Sequence, residues 1–309
     1  MKAIVLVGGE GTRLRPLTYT TPKQLLPVAG TPMLERVVTH LASHGVDQVV
    51  LSMGYKPAAF LEMYPNNTCA GVPVRYVVES EPLDTGGAIA YAADESGVDD
   101  RFVVVNGDVL TDVDFTALIN GHAERGALTT IGLTPVDDPS RFGVVVTDGD
   151  GRVTAFIEKP SPGTAPTNLI NAGIYVMEPA ALDIIERGRR VSVEREVFPA
   201  MVDLGTLFAA ACDGYWIDTG NPVSYIQANI DLAGSSPIDA TAKVDPGAVV
   251  VDSVIHAHAV IEAGARVDHS IIGTGATIGA GAVVRDYSVI GAGAEVSPGA
   301  EVVGQQVAE

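Results

Sequence analysis

From Ile238 towards the C-terminus, aliphatic residues return about every six positions, a period that few folds can satisfy. Ile238, Val244, Val249 or Val250, Val254 or Ile255, Val260 or Ile261, Val267, Ile271 or Ile272, Ile278, Val283 or Val284, Val289 or Ile290, Val296 and Val302 carry it, with GA, GTGA, GAGA and SPGA between them. Such hexapeptide repeats build a triangular coil: each short strand forms one side, small residues turn the corners, and stacked coils share a core. The tail, residues 238–309, is expected to be a short left-handed parallel β-helix of about three and a half turns at roughly eighteen residues per turn. Its flat faces and open ends suit subunit contact, so a homo-oligomer formed through the β-helix is expected.

Ahead of the repeat, LAGSSP changes the texture of the chain and marks a linker at 232–237. Residues 1–231 alternate apolar runs with amphipathic stretches. Ala3–Val7, Gln48–Met53, Val74–Val78 and Phe102–Val105 read as buried strands. Between the first two, Thr31 reads as an N-cap and Pro32 as the first residue of a helix whose stripe is Leu34, Val37, Val38 and Leu41, ending at Gly45. This alternation predicts an α/β domain with a Rossmann-like, mostly parallel sheet. Ligands of such sheets gather beyond the carboxyl ends of the strands, where Gly8, Gly9 and Asp108 fall.

The loop after the first strand, VGGEGTRLRPLTYTTPK, concentrates glycine and positive charge in an acidic chain. Lys and Arg number 19 against 38 Asp and Glu, a formal net charge of -19. That balance argues against a general nucleic-acid surface, so any nucleotide must be held by a local basic cluster. Glycines let backbone N–H groups approach an anion, and cationic side chains neutralise it. The loop is neither a dinucleotide fingerprint, because Leu14 stands where the third glycine belongs, nor a P-loop. Cys69 and Cys212 lack metal-type spacing, and no signal peptide or apolar run of membrane-spanning length is evident, so a cytoplasmic protein without membrane association is expected.

Taken with EPLDTGGA at 81–88, VVVNGD at 103–108, FIEKP at 156–160, NAGIY at 171–175 and YWIDTGNP at 215–222, the opening loop resembles the sugar-1-phosphate nucleotidyltransferases. The motifs occur in the family's order and span essentially all of residues 1–231. SVEREVFP at 192–199 is similar to the branch that makes GDP-mannose from GTP and mannose 1-phosphate, although Asp84 stands where glycine is common in that branch. The resemblance implies attack of a hexose 1-phosphate oxygen on the α-phosphorus of a nucleoside triphosphate, expelling pyrophosphate by positioning and electrostatic stabilisation.

Residue by residue, the resemblance implies that Gly8, Gly9, Gly11 and Thr12 meet the triphosphate and that Arg13 holds the departing pyrophosphate, with Arg15 as a possible helper. Lys23 bridges the α-phosphate and the incoming sugar phosphate. Asp108 and Asp218 are the implied Mg²⁺ ligands, an ion that takes one or two protein carboxylates and completes its shell with phosphate and water. Glu158 accepts from sugar hydroxyls, Lys159 binds the sugar phosphate, and Gly143, Asn171 and Gly173 line the sugar. Glu79, Gly86 and Gly87 line the base. A thymidylyl- or uridylyltransferase acting on glucose 1-phosphate stays open, as does a silent paralogue that binds nucleotide sugar. A β-helix acyltransferase would need His256, His258 or His269, which read as solvated coil residues.

Overall fold

The apolar run behind Met1 forms β1 (Lys2–Leu6), followed beyond the glycine loop by the short strands β2 (Pro27–Val28) and β3 (Thr31–Pro32), then α1 (Met33–Ser43), β4 (Gln48–Met53) and α2 (Pro57–Met63). Next come β5 (Thr68–Cys69), β6 (Val72–Val78), α3 (Asp84–Ser96), β7 (Phe102–Asn106), β8 (Val109–Thr111) and α4 (Phe115–Arg125). A run of strands follows: β9 (Thr129–Pro135), β10 (Gly143–Thr147), β11 (Val153–Glu158) and β12 (Leu169–Met177). The segment closes with α5 (Phe198–Asp203), β13 (Leu207–Ala211), β14 (Trp216–Asp218) and α6 (Pro222–Ala233). This computed structural model describes residues 1–54 and 56–308. They pack as two units: Met1–Gly9 with Val37–Trp216, and Glu10–Arg36 with the chain from Ile217 onward.

The first unit is built on one mixed sheet ordered β11-β10-β12-β7-β1-β4-β6-β5, with β9 beside β12 and β13 beside β9. In its centre β7, β1, β4 and β6 run parallel, so their carboxyl ends reach one edge together. On the far flank β12 runs antiparallel to β7 and β9, and β10 antiparallel to β11. Ile4, Val50 and Val104 lie in the core beneath α3, which meets the sheet through Ile89, Ala90, Ala92 and Ala93. The alanines among them let the helix pack closely on the sheet.

Helix α1 begins at Met33, one residue later than the N-cap reading of Thr31 requires. Thr31 and Pro32 instead pair with Val28 and Pro27 across Ala29 and Gly30, whose φ angles are +46° and +78°. Two successive positive φ values make the tight two-residue turn of a hairpin, and that pairing occupies the residues that would have capped the helix.

In the second unit the repeat forms a three-sided parallel coil, the left-handed β-helix expected. One ladder stacks Lys243–Val244, Val260–Ile261, Thr277–Ile278 and Glu295–Val296; the second begins at Val249–Val251 and the third at Val254–Ile255. Each rung lies 17 or 18 residues above the last, as Ile255, Ile272, Ile290 and Val307 show. A bridge from Ile238 to Ile255 adds one more step below, so the coil makes about four turns rather than three and a half. Ile261, Val267, Ile272, Ile278, Val284 and Ile290 fill the axis, and Ala259, Ala265, Ala276, Ala282 and Ala294 are buried with them.

Candidate active site

In the first unit, the parallel strands deliver Gly8, Glu79 and Asp108 to the same edge of the sheet. A Cβ on Gly8 would lie 3.5 Å from the Gly54 nitrogen and 3.9 Å from Glu79 Oε1, so the loops after β1, β4 and β6 meet at Gly8. Gly9 is exposed, with nothing near its missing Cβ. Glu79 Oε2 accepts from the Leu83 N–H at 2.9 Å, and Oε1 accepts from Ser52 Oγ at 3.3 Å. The carboxylate therefore fixes the turn into α3.

Asp108 is half-buried just past β7. Gly107, which the motif contains but the residue reading did not single out, sets its place. A Cβ there would strike Val7 Cγ1 at 2.7 Å and the Leu6 carbonyl at 2.9 Å, to which Gly107 N–H donates. Only a glycine lets β7 end this close to β1.

Gly86 and Gly87 have a packing reason that the sequence did not show. Their N–H groups both donate to the Val191 carbonyl, at 2.8 and 3.1 Å. A Cβ on Gly86 would meet that carbonyl at 3.0 Å, and one on Gly87 would meet the Arg189 carbonyl at 3.0 Å. Glycine is required to seat the first turn of α3 against residues 189–191, and these amides are already committed within the fold. The SVEREVFP segment completes the clamp: Glu194 Oε2 accepts from Thr85 Oγ1 at 2.8 Å and from Ser192 Oγ at 2.9 Å.

Asp84 adopts φ +61°, the left-handed region where glycine is at ease, which explains why its departure from the family pattern matters. Removing the side chain relieves strain, so Asp84→Gly is expected to stabilise the fold by up to about 1 kcal/mol. A denaturant midpoint that stays put or falls would contradict this.

The antiparallel flank carries the other first-unit residues. Gly143 faces Glu158 in the β10–β11 register, and its missing Cβ leaves room for the Phe156 ring, 2.5 Å from where that atom would stand. Glu158 Oε1 pairs with Lys159 Nζ at 3.2 Å, and Lys159 takes φ +47° with its N–H on the Phe142 carbonyl. Asn171 Oδ1 accepts from Gly173 N–H at 2.9 Å, while Nδ2 donates to Tyr175 Oη at 2.9 Å. Together they shape an irregularity in β12, and Gly173, at φ +71°, makes space for the Asn106 side chain. Burial pushes the Tyr175 phenol up, with the charges of Glu194 and Glu158 adding to the shift, so Tyr175 stays a neutral partner for Asn171.

The second unit holds the charged part of the opening loop. Gly11 takes φ +62°, its carbonyl accepts from Thr18 Oγ1 at 2.9 Å, and its missing Cβ would stand 3.3 Å from Lys23 Cβ. Thr12 opens the single turn 12–14 that carries Arg13. Arg13 and Asp218 converge on Gly220: a Cβ there would lie 2.7 Å from Arg13 Nη2 and 2.8 Å from Asp218 Oδ1, which accepts from Gly220 N–H. Gly220, unassigned from sequence, thus opens the space in which guanidinium and carboxylate approach. Arg15 pairs instead with Glu10 at 2.8 Å. Immediately after, Asn221 caps α6 by accepting from Ser224 N–H.

Asp108 in the first unit and Asp218 in the second each offer hard carboxylate oxygens of the kind a divalent cation takes. Among the described residues no group of three or more His, Cys, Asp or Glu could hold a metal ion. His256, read from sequence as solvated, is buried at 5% exposure against Tyr225, so it cannot serve an acyl donor from solvent.

Residues 2–235 match the nucleotidyl transferase family, and residues 221–308 match the GMPPB C-terminal domain. Mannose-1-phosphate guanylyltransferase of Mycobacterium tuberculosis is 41% identical over 268 residues, covering 82% of this chain and 74% of the relative. Mannose-1-phosphate guanyltransferase of Schizosaccharomyces pombe is 39% identical over 267 residues, covering 81% and 73%. Among solved structures, HddC from Yersinia pseudotuberculosis, also crystallised in complex with GMP-PN, aligns with TM-score 0.64 at 30% identity, covering 75% of this chain and 99% of that one. With a family model matched over most of its length and relatives at about 40% identity, this chain is a member of the nucleotidyl transferase family.

Proposed function

We propose that the protein transfers a guanylyl group from GTP to mannose 1-phosphate, giving GDP-mannose and pyrophosphate. One observation carries the choice of substrates: relatives at about 40% identity over four-fifths of the chain bear that activity in their names. The HddC complex with GMP-PN supports the guanine base. The side chains support the reaction class, because Arg13, Lys23, Lys159, Asp108 and Asp218 supply the charges that phosphate transfer needs and no protein nucleophile is required.

In this reading Gly8, Gly9, Gly11 and Thr12 approach the triphosphate, Glu79 with the Gly86–Gly87 turn shapes the base subsite, and Arg13 takes up charge on the leaving pyrophosphate. Lys23 steadies the α-phosphate and the entering oxygen as a compact point charge. Mg²⁺, when bound, neutralises phosphate charge, and Asp108 and Asp218 are its carboxylate ligands. Lys159 leaves Glu158 to meet the sugar phosphate, freeing Glu158 for sugar hydroxyls, while Gly143, Asn171 and Gly173 set the strand shape around them. Lys159→Ala should therefore raise the KM for mannose 1-phosphate by about tenfold or more with a smaller change in kcat, the loss of one charged hydrogen bond. An unchanged KM would remove Lys159 from that role.

The catalytic domain is assigned to 1–231, the linker to 232–237 and the coil to 238–309. No helix among the described residues is long and apolar enough to cross a membrane, and we place the reaction in the cytoplasm. The coil is assigned to self-association, so light scattering of the full chain should give a mass above one 32.0 kDa protomer.

The substrate choice is tested by pyrophosphate release from GTP, ATP, UTP and dTTP, each with mannose, glucose and glucosamine 1-phosphates and Mg²⁺. GTP with mannose 1-phosphate should give the highest kcat/KM. A faster reaction of dTTP or UTP with glucose 1-phosphate would reassign the substrates, and silence with every pair would leave a non-catalytic binder.

A further inference from the structure

The three outer faces of the coil differ. On the first two, the outward residues are exposed or half-buried: Lys243, Val260, Thr277 and Glu295, then Val249, Arg266, Val283 and Glu301. On the third, Val254, Ile271 and Val289 are buried although they point away from the coil axis. Residues of the same unit lie near this face. Pro16 lies against Gly291, where a Cβ would come within 2.9 Å of the proline ring, and Tyr225 of α6 lies against His256.

The second contact continues into the opening loop. Tyr225 Oη donates to the Pro27 carbonyl, which can only accept. Its remaining lone pairs face His256 Nε2 at 3.2 Å, so the imidazole is the donor of that bond. A hydrogen-bond chain therefore runs from coil to helix to the start of β2. Asn229, one turn further along α6, ties down the same hairpin, accepting from Ala29 N–H at 2.9 Å while donating to the Tyr225 carbonyl. The turn Lys23–Leu25 immediately precedes this hairpin, its Lys23 carbonyl accepting from Leu26 N–H at 3.1 Å.

We propose that His256 and Tyr225 are positioning residues for nucleotidyl transfer: the first turn of the coil holds, through the α6 hydroxyl, the backbone that closes the Lys23 turn. The role of the coil is then not confined to association. Burial lowers the His256 pKa to about 4, against a small opposing pull from Asp239, which keeps the ring neutral with its proton available for Tyr225. The inference rests on Lys23 acting on phosphate as set out under Proposed function.

The test compares His256→Leu, which removes the donor, with His256→Gln, whose amide can restore it, alongside Tyr225→Phe, the exposed-coil control His269→Leu, and Lys23→Ala, all in the full chain. His256→Leu and Tyr225→Phe should each lower kcat by about tenfold, an amount typical of losing one buried hydrogen bond, and the double variant should be no worse than either. His256→Gln should recover most of that loss. Amide exchange over residues 23–28 should quicken in His256→Leu and not in His256→Gln, a readout independent of turnover. If Lys23→Ala is inactive while His256→Leu matches wild type in kcat and in exchange, the positioning role is overturned and the Lys23 assignment stands. If Lys23→Ala turns over normally, the assignment itself falls. Equal losses in His256→Leu and His256→Gln would reduce His256 to packing.

Discussion

Lys23→Ala and Asp108→Asn are each expected to lower turnover by a factor of about 10² to 10³ while leaving the fold intact, the usual cost of removing one preorganised charge from a transition state. In the proposed reaction the two residues serve different needs. As the sugar phosphate approaches the α-phosphorus, two anions are brought together and more negative charge gathers on the leaving oxygens. In the proposed reaction Lys23 offsets this with a cation, its half-buried stem lying beside Gly11. Asparagine at 108 keeps the shape that Gly107 permits but surrenders the charge proposed to attract Mg²⁺. Asp108→Asn should also need more Mg²⁺ for half-maximal rate. Melting temperatures within a few degrees of wild type would show that folding is not the cause, and rates within threefold of wild type would remove either residue from the chemistry.

The second large effect concerns pH. His256 is neutral in the fold because burial among Tyr225, the coil and the linker disfavours its charged form, lowering its pKa from 6.5 to about 4 against the weak pull of Asp239. The unfolded chain binds a proton at this residue near pH 6.5, so the unfolded state takes up more protons between pH 6.5 and 4. Stability must then fall as pH drops through that window, by about 3 kcal/mol at its lower end for this group alone. His122 adds in the same direction: it is fully buried, and desolvation lowers its pKa despite the hydrogen bond to Glu178. His256→Gln should flatten the acid limb of a stability-against-pH curve. A limb of unchanged steepness would mean that His256 reaches solvent in the folded protein.

The coil was legible because its period is set by inward residues alone, and Val244 to Val302 keep that period without interruption. What the period cannot report is which outer face is covered, since Val254, Ile271 and Val289 resemble Val249 and Val283 in sequence. His256 was accordingly read as solvated, although α6 buries it. The strand Gln48–Met53 is found with the bounds its apolar run suggests, yet the hairpin at 27–32 was hidden. Ala29–Gly30 is a weaker turn signal than Asn–Gly, and a threonine followed by proline fits a helix start equally well. The antiparallel flank was hidden too, because β9 to β12 follow one another without the intervening helices that mark parallel crossovers.

The charged residues are proposed from type and motif, whereas the contacts that require several of the glycines leave no mark in the sequence. Gly86 and Gly87 look like openings for a purine, whereas the carbonyls of Val191 and Arg189 crowd them from a segment over a hundred residues away. Gly107 and Gly220 gave no separate signal because their constraints, Val7 on one and Arg13 on the other, are tertiary contacts.

Isotope tracing tests the central chemistry most directly. Mannose 1-phosphate labelled with ¹⁸O in its phosphate is mixed with unlabelled GTP, Mg²⁺ and the protein, and the products are weighed by mass spectrometry. If its phosphate oxygen attacks the α-phosphorus, every labelled oxygen stays in GDP-mannose and the released pyrophosphate carries none. Label in pyrophosphate, or GDP-mannose never formed, would contradict that chemistry.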